Sequence, residues 1–327
     1  MSWAAALPEI ARYAAALVLA AGTVVLAAPR AIAALAAAGQ RQRIREDAPG
    51  RHQDKAGTPT MGGLLMIAAT TLAALVVAGP DARVLFGLAV LAGFGAIGLI
   101  DDLRAIRLGR NLGLRARERL ALQAGLALAL GAAATVVPGT SSVVAVPGVG
   151  PVDLGRAYIV VAALLVMGFA NAVNLTDGLD GLAATLVLVA AGGFLAIAVA
   201  RDQPTDAVLA AALAGACAGF LPFNRHPARV FMGDVGSNAL GAALAALAIL
   251  ARAEAALFVI GGVFTAEAAS VFLQVAYFRA TGGRRIFRMS PLHHHFELVG
   301  WSEPAIVRRF VLAGGVCLVL GLMVALP

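Results

Sequence analysis

The chain has 327 residues, of which 61% are hydrophobic and only 13% charged, with a formal net charge of +7. Soluble domains carry about 25% charged residues, and a mean hydropathy of +0.88 excludes an ordinary water-soluble globule, leaving an integral membrane protein. Cys217 and Cys317 both lie in apolar stretches, so no disulfide scaffold is expected.

Taken in chain order, continuous apolar windows fall near 13–38, 61–79, 84–100, 120–137, 157–173, 182–200, 207–222, 238–250, 255–278 and 310–326. They lack the period-2 alternation of barrel strands. Their lengths predict an all-α, polytopic protein with about ten transmembrane helices. The first window contains Pro29-Arg30, and the eighth is short for a span. Glu9 and Arg12 interrupt the N-terminal stretch, so it does not read as a cleaved signal. With no repeat, linker or soluble insert, residues 1–327 read as one integral membrane domain.

The connections near 39–60, 101–119, 174–181, 223–237 and 279–309 hold nineteen of the 25 Lys and Arg residues. Positive charge marks the cytoplasmic side, which puts these five loops in the cytosol and, with ten spans, both termini outside. Topology therefore explains the basic balance without a nucleic-acid partner. Asp101, Asp102, Asn174, Asp177, Asp180, Asn224, Asp234 and His293–His295 all fall on that face.

Stop-transfer charge accounts for the arginines but not for these acids. Asp101-Asp102 stand directly against the third apolar run. Adjacent carboxylates there are costly unless a cation or basic group compensates. They are either a magnesium or phosphate site or a solvated helix end paired with Arg104 or Arg107. In NAVNLTDGLDGLAA, Asp177 and Asp180 are three apart and no basic residue is near, which favours a polar-ligand or metal site over a capped turn. Asp234 lies between Gly233 and Gly236 with Ser237 available as a cap. His293–His295 are consecutive and point about 100° apart on a helix, so phosphate recognition or proton handling by one or two of them is expected, not one shared ion. Glu267, Ser270 and Gln274 fall on one face of the ninth span. Such a buried Glu serves either function or interhelix bonding.

Taken together, GQRQRIREDAPGRHQDKAGTPTMGG, DDLRAI, NAVNLTDGLDGLA, FNRHPARVFMGD and IFRMSPLHHHFELVGWSEPAIVRRF resemble the polyprenyl-phosphate N-acetylhexosamine-1-phosphate transferase superfamily. PLHHHFEL and GTPTMGG resemble its phospho-N-acetylmuramoyl-pentapeptide transferase branch. The resemblance implies a ten-span, Mg²⁺-requiring homodimer of the bacterial inner (plasma) membrane with a cytosolic active site. Its reaction moves phospho-N-acetylmuramoyl-pentapeptide from UDP-N-acetylmuramoyl-pentapeptide to undecaprenyl phosphate, giving lipid I and UMP. Carried over by position, Asp234 would bind the metal and form the catalytic set with Asp101, Asp102 and His293. Asn174, Asp177, Asp180, Asn224 and Phe231 would line the nucleotide side. Lys55, Thr60, Gln274, His293 and His294 would contact the nucleotide sugar or its phosphates.

Two positions depart from the family pattern: Ala105 and Arg119 stand where the family keeps Lys, and Arg is not a neutral replacement. Two alternatives remain at this level. One is a sister enzyme moving N-acetylglucosamine-1-phosphate, against which His293–His295 argue. The other is a cation-coupled transporter, which calls for acids near the bilayer midplane in paired halves, whereas these acids cluster at one interface.

Overall fold

Uninterrupted Ala-, Leu- and Val-rich runs satisfy their backbone groups in a bilayer as helices, and helices are what they form. The structure, a computed structural model, describes residues 3–39, 57–109 and 113–326. The helices are α1 (Trp3–Ala37), α2 (Gly63–Ala78), α3 (Ala82–Leu108), α4 (Ala116–Ala134), α5 (Tyr158–Thr176), α6 (Leu182–Ala200), α7 (Pro204–Asn224), α8 (Gly233–Ala251), α9 (Glu254–Ile260), α10 (Gly262–Ala280), α11 (Leu292–Val299) and α12 (Glu303–Ala325).

Seven of these are long and apolar enough to cross a membrane, or eight if α9 and α10, bent by 82° about Gly261, form one span. The ninth apolar window is thus a broken element. α2, with 16 residues, is short for a span, and α4 opens on Arg117, Glu118 and Arg119. α1 runs on through Pro29. Among the described residues the otherwise all-α architecture carries one hairpin, β1 (Val143–Val146) paired antiparallel with β2 (Gly150–Asp153). At its base the Ser142 hydroxyl donates to Asp153 at 2.7 Å and the Gly155 N–H at 2.9 Å. These bonds, the hydroxyl first, hold that carboxyl below the usual carboxylate range.

α8 occupies the centre, buried along nearly its whole length, and packs chiefly on α3 and α5. Its sequence, GDVGSNALGAALAALAILA, is small on nearly every side. Neighbouring backbones can therefore close in, and that contact drives helix association where lipid is as apolar as the side chains. At Gly98 of α3 the approach is so close that a Cβ would run into the Asp234 carbonyl of α8. Glycine at this crossing is what brings Asp101 and Asp102, one turn further along α3, onto the start of α8.

The opposite end of α3 is tied by charge. Arg83 donates to both carboxylate oxygens of Asp206 at 2.8 and 2.5 Å and to the Leu250 and Pro138 carbonyls at 2.6 and 2.5 Å. With Asp206 only 1% exposed, this one guanidinium pins α3, α7 and α8 at the end remote from the acidic residues.

Candidate active site

Asp102 accepts the backbone N–H groups of Asp234 at 3.2 Å and Val235 at 3.0 Å. It therefore caps α8 from a different helix, since Met232, at α8's own N-cap position, supplies no side-chain bond. A carboxylate there satisfies orphan donors and offsets the positive end of the helix dipole. Ser237, the expected local cap, instead donates to the Gly233 carbonyl at 3.2 Å and accepts from Asn174 at 2.8 Å. Asp101, 5% exposed, accepts the Leu114 N–H at 2.9 Å. Arg104, one candidate partner for the aspartate pair, faces Glu118 at 3.7 Å with both side chains largely exposed.

Asp234 is more open than Asp101, and both of its oxygens are engaged. Oδ2 accepts from Arg119 Nη1 at 2.7 Å and Oδ1 from Asn174 Nδ2 at 2.8 Å. Arg119 Nη2 also reaches Asn174 Oδ1 at 2.9 Å and Asn238 Oδ1 at 3.1 Å. Gln123 donates to Asn238 at 3.1 Å and accepts from Asn171 at 2.7 Å. The groups beside Asp234 that could ligate a cation are carboxylate, amide and hydroxyl oxygens, which is the donor chemistry of a hard divalent ion. Thr60 and Phe231 are held next to it by a short zipper of backbone bonds. Phe231 donates to the Pro59 carbonyl, Gly62 to the Phe231 carbonyl and Gly63 to the Met232 carbonyl, each at 2.9 Å.

A second group lies around Asp180. Its carboxylate accepts the Ala228 N–H at 3.0 Å and faces His226 Nδ1 at 3.1 Å. Glu303 of α12 accepts the Asp180 N–H at 2.6 Å and lies 3.5 Å from His226. One ligand atom from each of Asp180, His226 and Glu303 falls within 4.8 Å of the others, close enough to hold a metal ion. Asn224 accepts the Gly181 N–H at 3.2 Å and donates to the Val230 carbonyl at 3.0 Å.

The third group lies along α10 and α11. The three histidines take three different partners, as consecutive helical positions require. His293 Nδ1 is 3.0 Å from Glu267, His294 Nδ1 is 2.7 Å from Glu297, and His295 Nδ1 accepts the Arg288 N–H at 3.1 Å. Gln274 accepts the N–H groups of Ile286 and Phe287, each at 3.0 Å, and donates to the Phe287 carbonyl, also at 3.0 Å. The last turn of α5 and the connection to α6 together meet all three groups. Asn174 touches Asp234, Asp177 ends α5, Gly178 lies against His293, and Asp180 carries the second group.

Of the residues expected from the sequence, Asp101, Asp102, Asp234, Asn174, Thr60 and Phe231 converge. Asp177, Asp180 and Asn224 flank them, with Gln274, His293 and His294 on the α10 side. Lys55 lies outside the described residues. Arg119, which entered as a departure from the family pattern, is a central member of the cluster. Gln123 and Asn238 stand one turn after Arg119 and Asp234, and a polar residue at that spacing on an apolar helix is a legible signal. His226 and Glu303 carry no such local signal.

A polytopic helical bundle with these carboxylates gathered at one end is a membrane transferase of the glycosyl transferase family 4 class, whose family model matches residues 84–252. Residues 55–67 match phospho-N-acetylmuramoyl-pentapeptide-transferase signature 1. The phospho-N-acetylmuramoyl-pentapeptide-transferase of Heliobacterium modesticaldum is 52% identical over 88% of this chain and 89% of its own. That of Moorella thermoacetica is 50% identical over 90% of this chain and 92% of its own. The chain belongs to the phospho-N-acetylmuramoyl-pentapeptide-transferase family.

Proposed function

We propose that this chain transfers phospho-N-acetylmuramoyl-pentapeptide from UDP to undecaprenyl phosphate, giving lipid I and UMP, with Mg²⁺ as cofactor. The observation that carries this is the surround of Asp234, with Arg119 and Asn174 on its two oxygens and Asp102 and Thr60 beside it. The protein works as a homodimer in the bacterial inner membrane, with ten spans and its active site on the cytosolic face. The concentration of nineteen of its 25 basic residues in the five connections that also hold the motif residues supports that orientation.

Asp234 would hold the Mg²⁺, with Asp101 and Asp102 nearby as catalytic carboxylates. The chemistry supplied by the bound ion is neutralisation of pyrophosphate charge, which eases departure of UMP. In the transfer an oxygen of the lipid phosphate bonds to the sugar-bearing phosphorus as that phosphorus releases the UMP oxygen. A phosphate monoester is mostly dianionic at neutral pH, with a second pKa of about 6, so little base catalysis is needed. Asp101 and Asp102 already accept backbone N–H groups, which supports direct attack over a phospho-enzyme on either. Asn174, Asp177, Asp180, Asn224 and Phe231 line the nucleotide side. Lys55, Thr60, Gln274, His293 and His294 meet the phosphates and sugar.

The test is UMP release by purified protein given undecaprenyl phosphate and the pentapeptide nucleotide, with and without Mg²⁺. Turnover that persists after chelation would remove the metal assignment. Turnover of UDP-N-acetylglucosamine alone would replace the substrate assignment with that of the sister enzymes.

A further inference from the structure

The structure assigns Glu267 of α10 as the positioning residue for His293, an inference that rests on the transfer reaction proposed above. Both side chains are fully buried. Glu267 Oε2 accepts the Leu292 N–H at 2.6 Å, and Oε1 accepts the His293 N–H at 3.2 Å while facing His293 Nδ1 at 3.0 Å. With both oxygens already acting as acceptors toward the start of α11, the ring supplies the donor, so the imidazole proton sits on Nδ1. In a neutral ring that bond fixes the tautomer, with the lone pair on Nε2.

Nε2 is buried and has no hydrogen-bond partner among the described residues, an uncommon state for a buried polar atom. It is pressed against Gly178, where a Cβ would collide with it. Gly178 lies between Asp177 and Asp180, in the α5–α6 connection that follows the Asn174 contact with Asp234. One carboxylate therefore does two things: it satisfies the first amides of α11, and it turns the imidazole so that its second nitrogen faces the substrate-side turn. A merely structural Glu267 would do only the first. A positioning Glu267 acts on turnover through His293.

A double-mutant cycle separates the two. Glu267→Gln, which keeps size and one acceptor oxygen, is expected to lower kcat roughly 10–100-fold, by analogy with groups that orient metal-ligating imidazoles, with little change in KM. His293→Ala is expected to lower kcat at least as far, and the double variant to match His293→Ala alone. Losses that multiply in the double variant, or wild-type kcat in Glu267→Gln, would overturn the assignment. If Glu267→Gln does not fold, Glu267→Asp enters the same cycle, with partial activity expected because the carboxylate is retained. Nitrogen-15 spectra of histidine-labelled wild-type protein add a measurement that needs no turnover. A proton on Nδ1 of His293 supports the assignment and a ring protonated on Nε2 alone refutes it, even if UMP release fails and the transfer reaction itself is withdrawn.

Discussion

The guanidinium of Arg119 lies 2.7 Å from the carboxylate of Asp234, on the oxygen that a metal ion would also seek. Both side chains are partly exposed, so the pair contributes on the order of 1 kcal/mol. Removing it with Arg119→Gln should therefore strengthen Mg²⁺ binding about fivefold. The midpoint of Mg²⁺-dependent thermal stabilisation would fall accordingly, while turnover drops because Arg119 no longer holds Asn174 and Asn238 in place. An unchanged midpoint would show that the ion and Arg119 do not share Asp234.

Asp102 holds the first amides of α8 from another helix. Asp102→Asn keeps one acceptor oxygen and should cost about 1 kcal/mol of stability, the size of a lost cap, read as a small fall in Tm. Activity should be lost with no sugar-phosphate adduct on the protein by mass spectrometry. Detection of such an adduct on any aspartate would favour a two-step route.

Gly178→Ala places a methyl group in the space held by the His293 ring. Overpacking of this kind costs roughly 1–3 kcal/mol, and the ring must turn away from its set position. A loss in kcat well beyond what the fall in Tm explains is expected. Wild-type turnover in Gly178→Ala would mean that the turn yields without consequence.

At the far end of the bundle, Arg83→Ala leaves Asp206 buried and unpaired, which should cost roughly 3–5 kcal/mol. The measurable result is a large drop in Tm in detergent with KM unaltered for protein that remains folded. Replacing both partners, as in Arg83→Met with Asp206→Leu, should recover most of that loss, because apolar side chains often substitute for a buried pair at no net cost.

The helical membrane architecture was legible because most of the apolar windows are long and carry few charged residues. The bend at Gly261 was not, since a glycine inside an apolar run carries no sign of an 82° turn. The motif residues that the structure gathers at one end were legible in the sequence; the partners they take there were not. Asp102 capping α8, and Glu303 reaching Asp180, join positions more than 100 residues apart. Such pairings depend on which helices end side by side, which local spacing does not encode. Glu267 stood out as a buried acid on one face with Ser270 and Gln274, but the histidine it serves lies on a different element.

The burial of α8 has a mechanical meaning. A helix walled in on nearly every side has no slack to tilt or slide, because close-packed interiors transmit strain instead of absorbing it. Asp234, at its first turn, is therefore the stationary member of the site. Adjustment to an incoming nucleotide falls to the segments that meet it from outside: the strip at 57–62, the turn between α5 and α6, and the stretch leading into α11. Under the proposed reaction, whose substrates arrive from two phases, water and lipid, both partners would be brought to one fixed carboxylate.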